Sequence, residues 1–87
     1  MIHAQHMGVE FDLDQDALSD FRTLGLFSRM QKKDPTAAWD FAEKIFGTEQ
    51  LDAILDKLPK TDVLSVINFM NGAVKAAAAE VGENPKN

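Results

Sequence analysis

The sequence predicts an all-α fold, a small four-helix domain behind a short extended N-terminal arm. Apolar residues recur at helical spacing over most of the chain, Asp34-Pro35 marks a helix start, and Gly47 and Pro59 mark helix ends. At 87 residues, 45% hydrophobic and 26% charged, the chain fits one globular domain with one core. A domain of this size hides only about 60 to 65% of its unfolded surface, so a partner or a second copy is a natural source of added stability.

The single helical domain is expected to span residues 8–82. Residues 1–7, MIHAQHM, are set aside as a disordered or cloning-derived tail, because His6-Met7 is a dipeptide that a common cloning site leaves. From Gly8, the residues Val9, Phe11 and Leu13 alternate with Glu10, Asp12 and Asp14, a period of two that predicts an extended segment. With no partner strand evident, this segment is expected to pack as an arm. Asp14 or Asp16 then caps a first helix with its body at residues 17–33, and Lys32 and Lys33 in its last turn suit the helix dipole. Ala17, Phe21, Leu24, Leu26, Phe27 and Met30 cover more than half of its circumference, so the helix needs two neighbours.

Asp34-Pro35 starts the second helix, residues 35–46. Asp caps well, and Pro at the first helical position gives up no bond a helix would have made there. Gly47 ends this helix and Thr48 is expected to cap the next at once, so the two meet at a corner with no room for a loop. In the third helix Leu51, Ile54, Leu55 and Leu58 form one stripe at i, i+3, i+4 and i+7, assigned to the core, and Pro59 stops it. Thr61 is expected to cap the fourth helix, where Val63, Val66, Ile67, Met70, Val74, Ala77 and Val81 keep the period until Gly82. Residues 83–87 carry no pattern and are expected to form a disordered tail.

Chemistry is sparse. With no cysteine there is no disulfide, thiolate ligand or thiol nucleophile. His3 and His6 have a spacing that would place two imidazoles on one helical face for a metal, but they fall in the excluded tail, and no metal is expected. The acidic run from Glu10 to Asp16 lacks the central glycine and distal glutamate of a calcium loop. Ser19, Ser28 and Ser65 have no elbow glycines and no nearby histidine, and the scattered glycines build no phosphate loop. No catalytic, cofactor or metal residue is therefore assigned, and the chain is expected not to be an enzyme.

The net charge of -5 works against nucleic-acid backbones and anionic lipid. No apolar run approaches the roughly 18 to 20 residues that span a bilayer, which makes the cytoplasm the expected location. A helix-turn-helix around Gly47-Thr48 would present Glu49, Asp52 and Asp56 to phosphate and be repelled. What remains is surplus apolar helix surface suited to helix-in-groove recognition. The expected partner-binding residues are Leu24, Phe27, Met30, Trp39 and Phe41.

The order of GVEFDLD, the acid-rich DALSDF, a helix ending near Asp-Pro, and the helix-glycine-helix segment KIFGTEQLDAILDKL resembles the small tail assembly chaperones of long-tailed bacteriophages, particularly those of Gram-positive hosts. The likeness covers roughly residues 8–82, and its most specific part is Phe46-Gly47-Thr48-Glu49-Gln50-Leu51. Thr48 stands where an acid is common in the family and Leu51 where an aromatic is common. The resemblance implies an all-helical, non-catalytic protein of the host cytoplasm, absent from the finished virion. Its implied partners are the tape-measure protein, which it would keep soluble, and the tail-tube protein, which it would help recruit; this chain would be the short form of a pair produced by frameshifting. A homo-oligomer is expected. The alternative is a small acidic helical adaptor or regulatory domain, DNA-binding included.

Overall fold

The computed structural model describes residues 1–81. The expected helix end at Gly82 and the expected tail at 83–87 lie outside the described residues. Two antiparallel strands, β1 (Ile2–His6) and β2 (Val9–Leu13), precede five helices among the described residues: α1 (Gln15–Ser19), α2 (Phe21–Gln31), α3 (Pro35–Phe46), α4 (Thr48–Lys57) and α5 (Val63–Glu80). This overturns the expected all-α, four-helix architecture in two places, the arm and the first helix.

The expected arm is half of a β-hairpin, and residues 1–7 supply the other half. Ile2 pairs with Leu13, Ala4 with Phe11 and His6 with Val9. The connecting Met7 and Gly8 both adopt positive φ, 55° and 77°, as a two-residue turn matched to strand twist requires. Ile2, Ala4, Val9, Phe11 and Leu13 are buried on the inner face, while His3, Gln5, Glu10 and Asp12 alternate outward. The sequence alone does not mark this strand, because IHAQH is short and weakly apolar and Met at a left-handed turn position gives no turn signal.

The second correction is at Asp20. Its backbone is extended (ψ 131°), and its carboxylate accepts the Arg22 N–H at 2.8 Å, so one apolar period is cut into α1 and α2. Asp14, of the two residues considered, is the cap of α1. Thr48 and Thr61 are not caps. Gly47 takes the N-cap position of α4, leaving the Thr48 hydroxyl to donate to the Glu43 carboxylate at 3.1 Å, and Asp62 caps α5. The Asp62 carboxyl is held below its usual range mainly by the hydrogen bond from the Ser65 hydroxyl. The bounds of α3 and the stop after α4 agree with the sequence reading.

The hairpin's inner face lies against α3, α4 and α5, and α2 packs along α3. Phe11 is the meeting point: its ring is edge-on to Phe46 at 5.3 Å and to Phe69 at 6.0 Å. β1 runs close against α5 at Gly72, where any Cβ would overlap the His6 imidazole, and the same ring is tilted over Phe69 at 5.7 Å. The outer edge of β2 is covered by a side chain. Gln50 Nε2 donates to the Asp12 carbonyl at 2.7 Å and to the Phe46 carbonyl at 3.0 Å, while its Oε1 accepts the Asp12 N–H at 2.7 Å. One amide thus serves as the missing strand neighbour and ties β2 to the α3–α4 corner.

Two expectations follow. Removing residues 1–7 strips the buried Ile2 and exposes the faces of Phe11 and Leu13, so it should cost at least about 3 kcal/mol out of the 5 to 15 typical of a domain. Thermal unfolding followed by circular dichroism checks this, and an unchanged midpoint would restore the tail assignment. Gly72→Ala gains about 1 kcal/mol of helix propensity but loses about 1 to 3 to overpacking against His6, so it should destabilise. In a His6→Ala background the same change should become neutral or stabilising, a reversal that urea unfolding of the four variants reads directly.

Candidate functional site

The five residues expected to bind a partner do not gather into one patch. Met30 and Phe41 are fully buried; they face inward where α2 and α3 pack together. Phe27 is half-buried with its ring 5.3 Å from that of Phe41, and Leu24 is exposed beside it. Leu24, Phe27 and the buried Phe41 line a small depression of about 190 Å³ together with Leu18, Thr23 and Val74, where the buried Thr23 hydroxyl has no hydrogen-bond partner among the described residues. Met30 and Phe41 are thereby reassigned from contact to core: two helices that share a long apolar seam bury the middle of each stripe against one another.

Trp39 stands apart, on another face of α3. With 44% of its surface exposed, it borders an apolar groove of about 280 Å³ whose walls include Pro35, Ala42, Leu55 and Val63. The corner at Gly47 makes this groove. Gly47 takes φ 83° and ψ 156°, a conformation almost confined to glycine, and swings α4 away from α3, while the start of α5 closes the third side. Leu51 and Ile54 are buried beneath, as the sequence assigned them, while Leu55 of the same stripe is half-buried and faces the groove.

The lining is apolar apart from Thr61; Asp34, Asp52 and Asp62 adjoin lining residues in sequence, as does Lys60. Asp34 and Asp62 also cap α3 and α5, which fixes where their carboxylates sit.

Sequence reasoning missed Val63, 43% exposed, and Phe21, 86% exposed. Both fall on apolar periods that a helical wheel assigns inward, and only the neighbours of α2 and α5 reveal that they face outward. Phe21 forms a shallow face with Arg22, Gly25, Leu26, Ser28, Arg29 and Lys44.

The two histidines are separated by the strand. His6 turns toward α5, whereas His3 faces outward and meets Asp12 Oδ1 at 2.8 Å and Glu10 Oε1 at 3.4 Å. The hydrogen bond to Asp12 holds the His3 pKa above its ordinary value. The two imidazoles therefore do not share a face, contrary to the helical placement that a metal pair needed. No group of three or more histidine, aspartate or glutamate side chains is arranged to hold a metal among the described residues. Among the same residues, no helix is long and apolar enough to cross a membrane.

No protein-family model, curated protein or solved structure matches this chain.

The burial pattern sorts the five residues by expected stability effect. Phe41→Ala and Met30→Ala should each cost about 2 to 5 kcal/mol, whereas Trp39→Ala should cost less than about 3 and Leu24→Ala less than about 1. Urea unfolding midpoints give all four values, and a Trp39→Ala loss as large as that of Phe41→Ala would return Trp39 to the core.

Proposed function

We propose that this chain is a non-catalytic tail assembly chaperone of a long-tailed bacteriophage, acting in the host cytoplasm and left out of the finished virion. It binds an apolar helix of the tape-measure protein, keeps that protein soluble, and helps recruit tail-tube subunits. The observation that carries this reading is the open groove beside Trp39, a preformed apolar slot between three helices with an aromatic at its mouth.

The sequence resemblance adds support, and its two main segments are in contact. GVEFDLD contains β2, FGTEQL forms the α3–α4 corner, and Gln50 joins them through the Asp12 backbone. The family likeness therefore falls on the part of the fold that shapes the groove. The sheet departs from the all-helical form that the resemblance implied, so it is no part of the proposal.

A second reading, a DNA-binding adaptor, draws on the cations of α2 and its C-terminal end: Arg22, Arg29, Lys32 and Lys33. The helix after the tight turn exposes Glu49, Asp52 and Asp56, which repel phosphate.

Co-expression with the tape-measure protein encoded beside it should raise the soluble fraction of that protein and give a co-purifying complex. Trp39→Ala should weaken that complex by about tenfold or more, as loss of an aromatic anchor does. A client whose solubility is unchanged by the partner would overturn the chaperone reading. Binding to duplex DNA that falls steeply with salt would favour the adaptor instead.

A further inference from the structure

The rest of the fold covers one edge of the β-hairpin and leaves the other open. Asp12 engages the Gln50 side chain with both its backbone N–H and its carbonyl, at 2.7 Å each, so neither group points toward β1. In an antiparallel ladder the residue opposite then also turns both groups away from its partner strand, and so does every second residue along it. His3 lies opposite Asp12, and Gln5, two residues on, lies opposite Glu10. The N–H and C=O of His3 and Gln5 therefore point out of the free edge of β1, and nothing among the described residues hydrogen-bonds to them. Both side chains are exposed. A depression of about 290 Å³ borders this strand, lined by His3, Ala4, Gln5, Glu10 and, from the end of α5, Glu80.

We propose that the free edge of β1 takes an extended basic segment of a partner protein as a third strand. Donors and acceptors at alternate residues of one strand are matched by another extended backbone, which presents its own at the same spacing; a helix has used its own internally. Side chains set the sign of the partner. Glu10 and Glu80 line the depression, and the one basic group in its lining, His3, is already bonded to Asp12 at 2.8 Å and lies 3.4 Å from Glu10. A strand with Lys or Arg at its outward positions meets these carboxylates, whereas a second copy would bring its own Glu10 and Glu80 to the same place. The depression shares no lining residue with the Trp39 groove. A client helix and an added strand are thus separate binding events, and failure of either leaves the other standing.

The probe is a capped peptide of about seven residues alternating Lys and Val, long enough to pass the five-residue strand. Titrated into the isotope-labelled full chain, it should shift the His3 and Gln5 amide signals and slow their hydrogen exchange, and leave the Trp39 indole signal in place. N-methylation at two adjacent central residues blocks both edges of the peptide and keeps its charge, and it should weaken binding by at least about tenfold. A Glu/Val peptide of the same length should bind more weakly than the Lys/Val peptide, and added salt should narrow that difference.

On the protein side, Gln5→Pro deletes one outward N–H and spares the ladder bonds that Ala4 and His6 make to β2, a position where an edge strand tolerates proline. It should weaken binding of the Lys/Val peptide by at least about tenfold. Glu80→Lys, at the exposed end of α5, leaves the hairpin untouched and should narrow the preference for the Lys/Val peptide over the Glu/Val one. A Lys/Val peptide that does not bind at millimolar concentration, one that binds equally well after N-methylation, or shifts centred on the Trp39 groove would each overturn the proposal. So would His3 and Gln5 signals that move with protein concentration in the absence of peptide, which would give the edge to a second copy.

Discussion

The ring of Phe11 is the contact on which the other elements depend. It projects from β2 into the space between α3 and α5, edge-on to Phe46 and Phe69, and is 2% exposed. Edge-to-face rings constrain angle as well as distance, so this cluster sets how the two helices lie against the sheet. Phe11 reaches that position only if β2 presents its odd-numbered residues inward, and the ladder with β1 fixes that alternation. The short strand at the chain start is thus a structural requirement of the core. Gly72 completes the arrangement by letting β1 and its His6 ring approach the α5 backbone.

The α3–α4 corner translates this core into surface. Gly47 permits a backbone that other residues strongly disfavour, and Gln50 then anchors the new helix to the outer edge of β2. Because α4 leaves α3 at once, Leu51 and Ile54 reach the core while Leu55 and Trp39 are left partly outside it. The groove is what remains where three helices diverge from one apolar centre. A tight turn therefore accounts both for closure of the core and for the opening beside it.

Charge is distributed in keeping with these shapes. Acids cap helices at Asp14, Asp20, Asp34 and Asp62, where they satisfy free N–H groups. Arginine is confined to α2, on the far side of α3 from Trp39.

Local rules made much of the fold legible. Asp34-Pro35 and Gly47 set the bounds of α3, Pro59 set the stop of α4, and alternation marked β2, because caps, glycine and proline act through their own backbone or their immediate neighbours. The corner was legible for the same reason. What the sequence could not determine were the features that depend on a distant partner. β1 is a strand because β2 lies opposite it. Met30 and Phe41 are core because α2 and α3 cover each other, and Phe21 and Val63 are exposed because nothing among the described residues covers them. A helical wheel gives direction around an axis, but only the packed structure determines what lies in that direction. The apolar surplus was visible from composition and period; its division into core, groove and exposed surface was decided by tertiary packing alone.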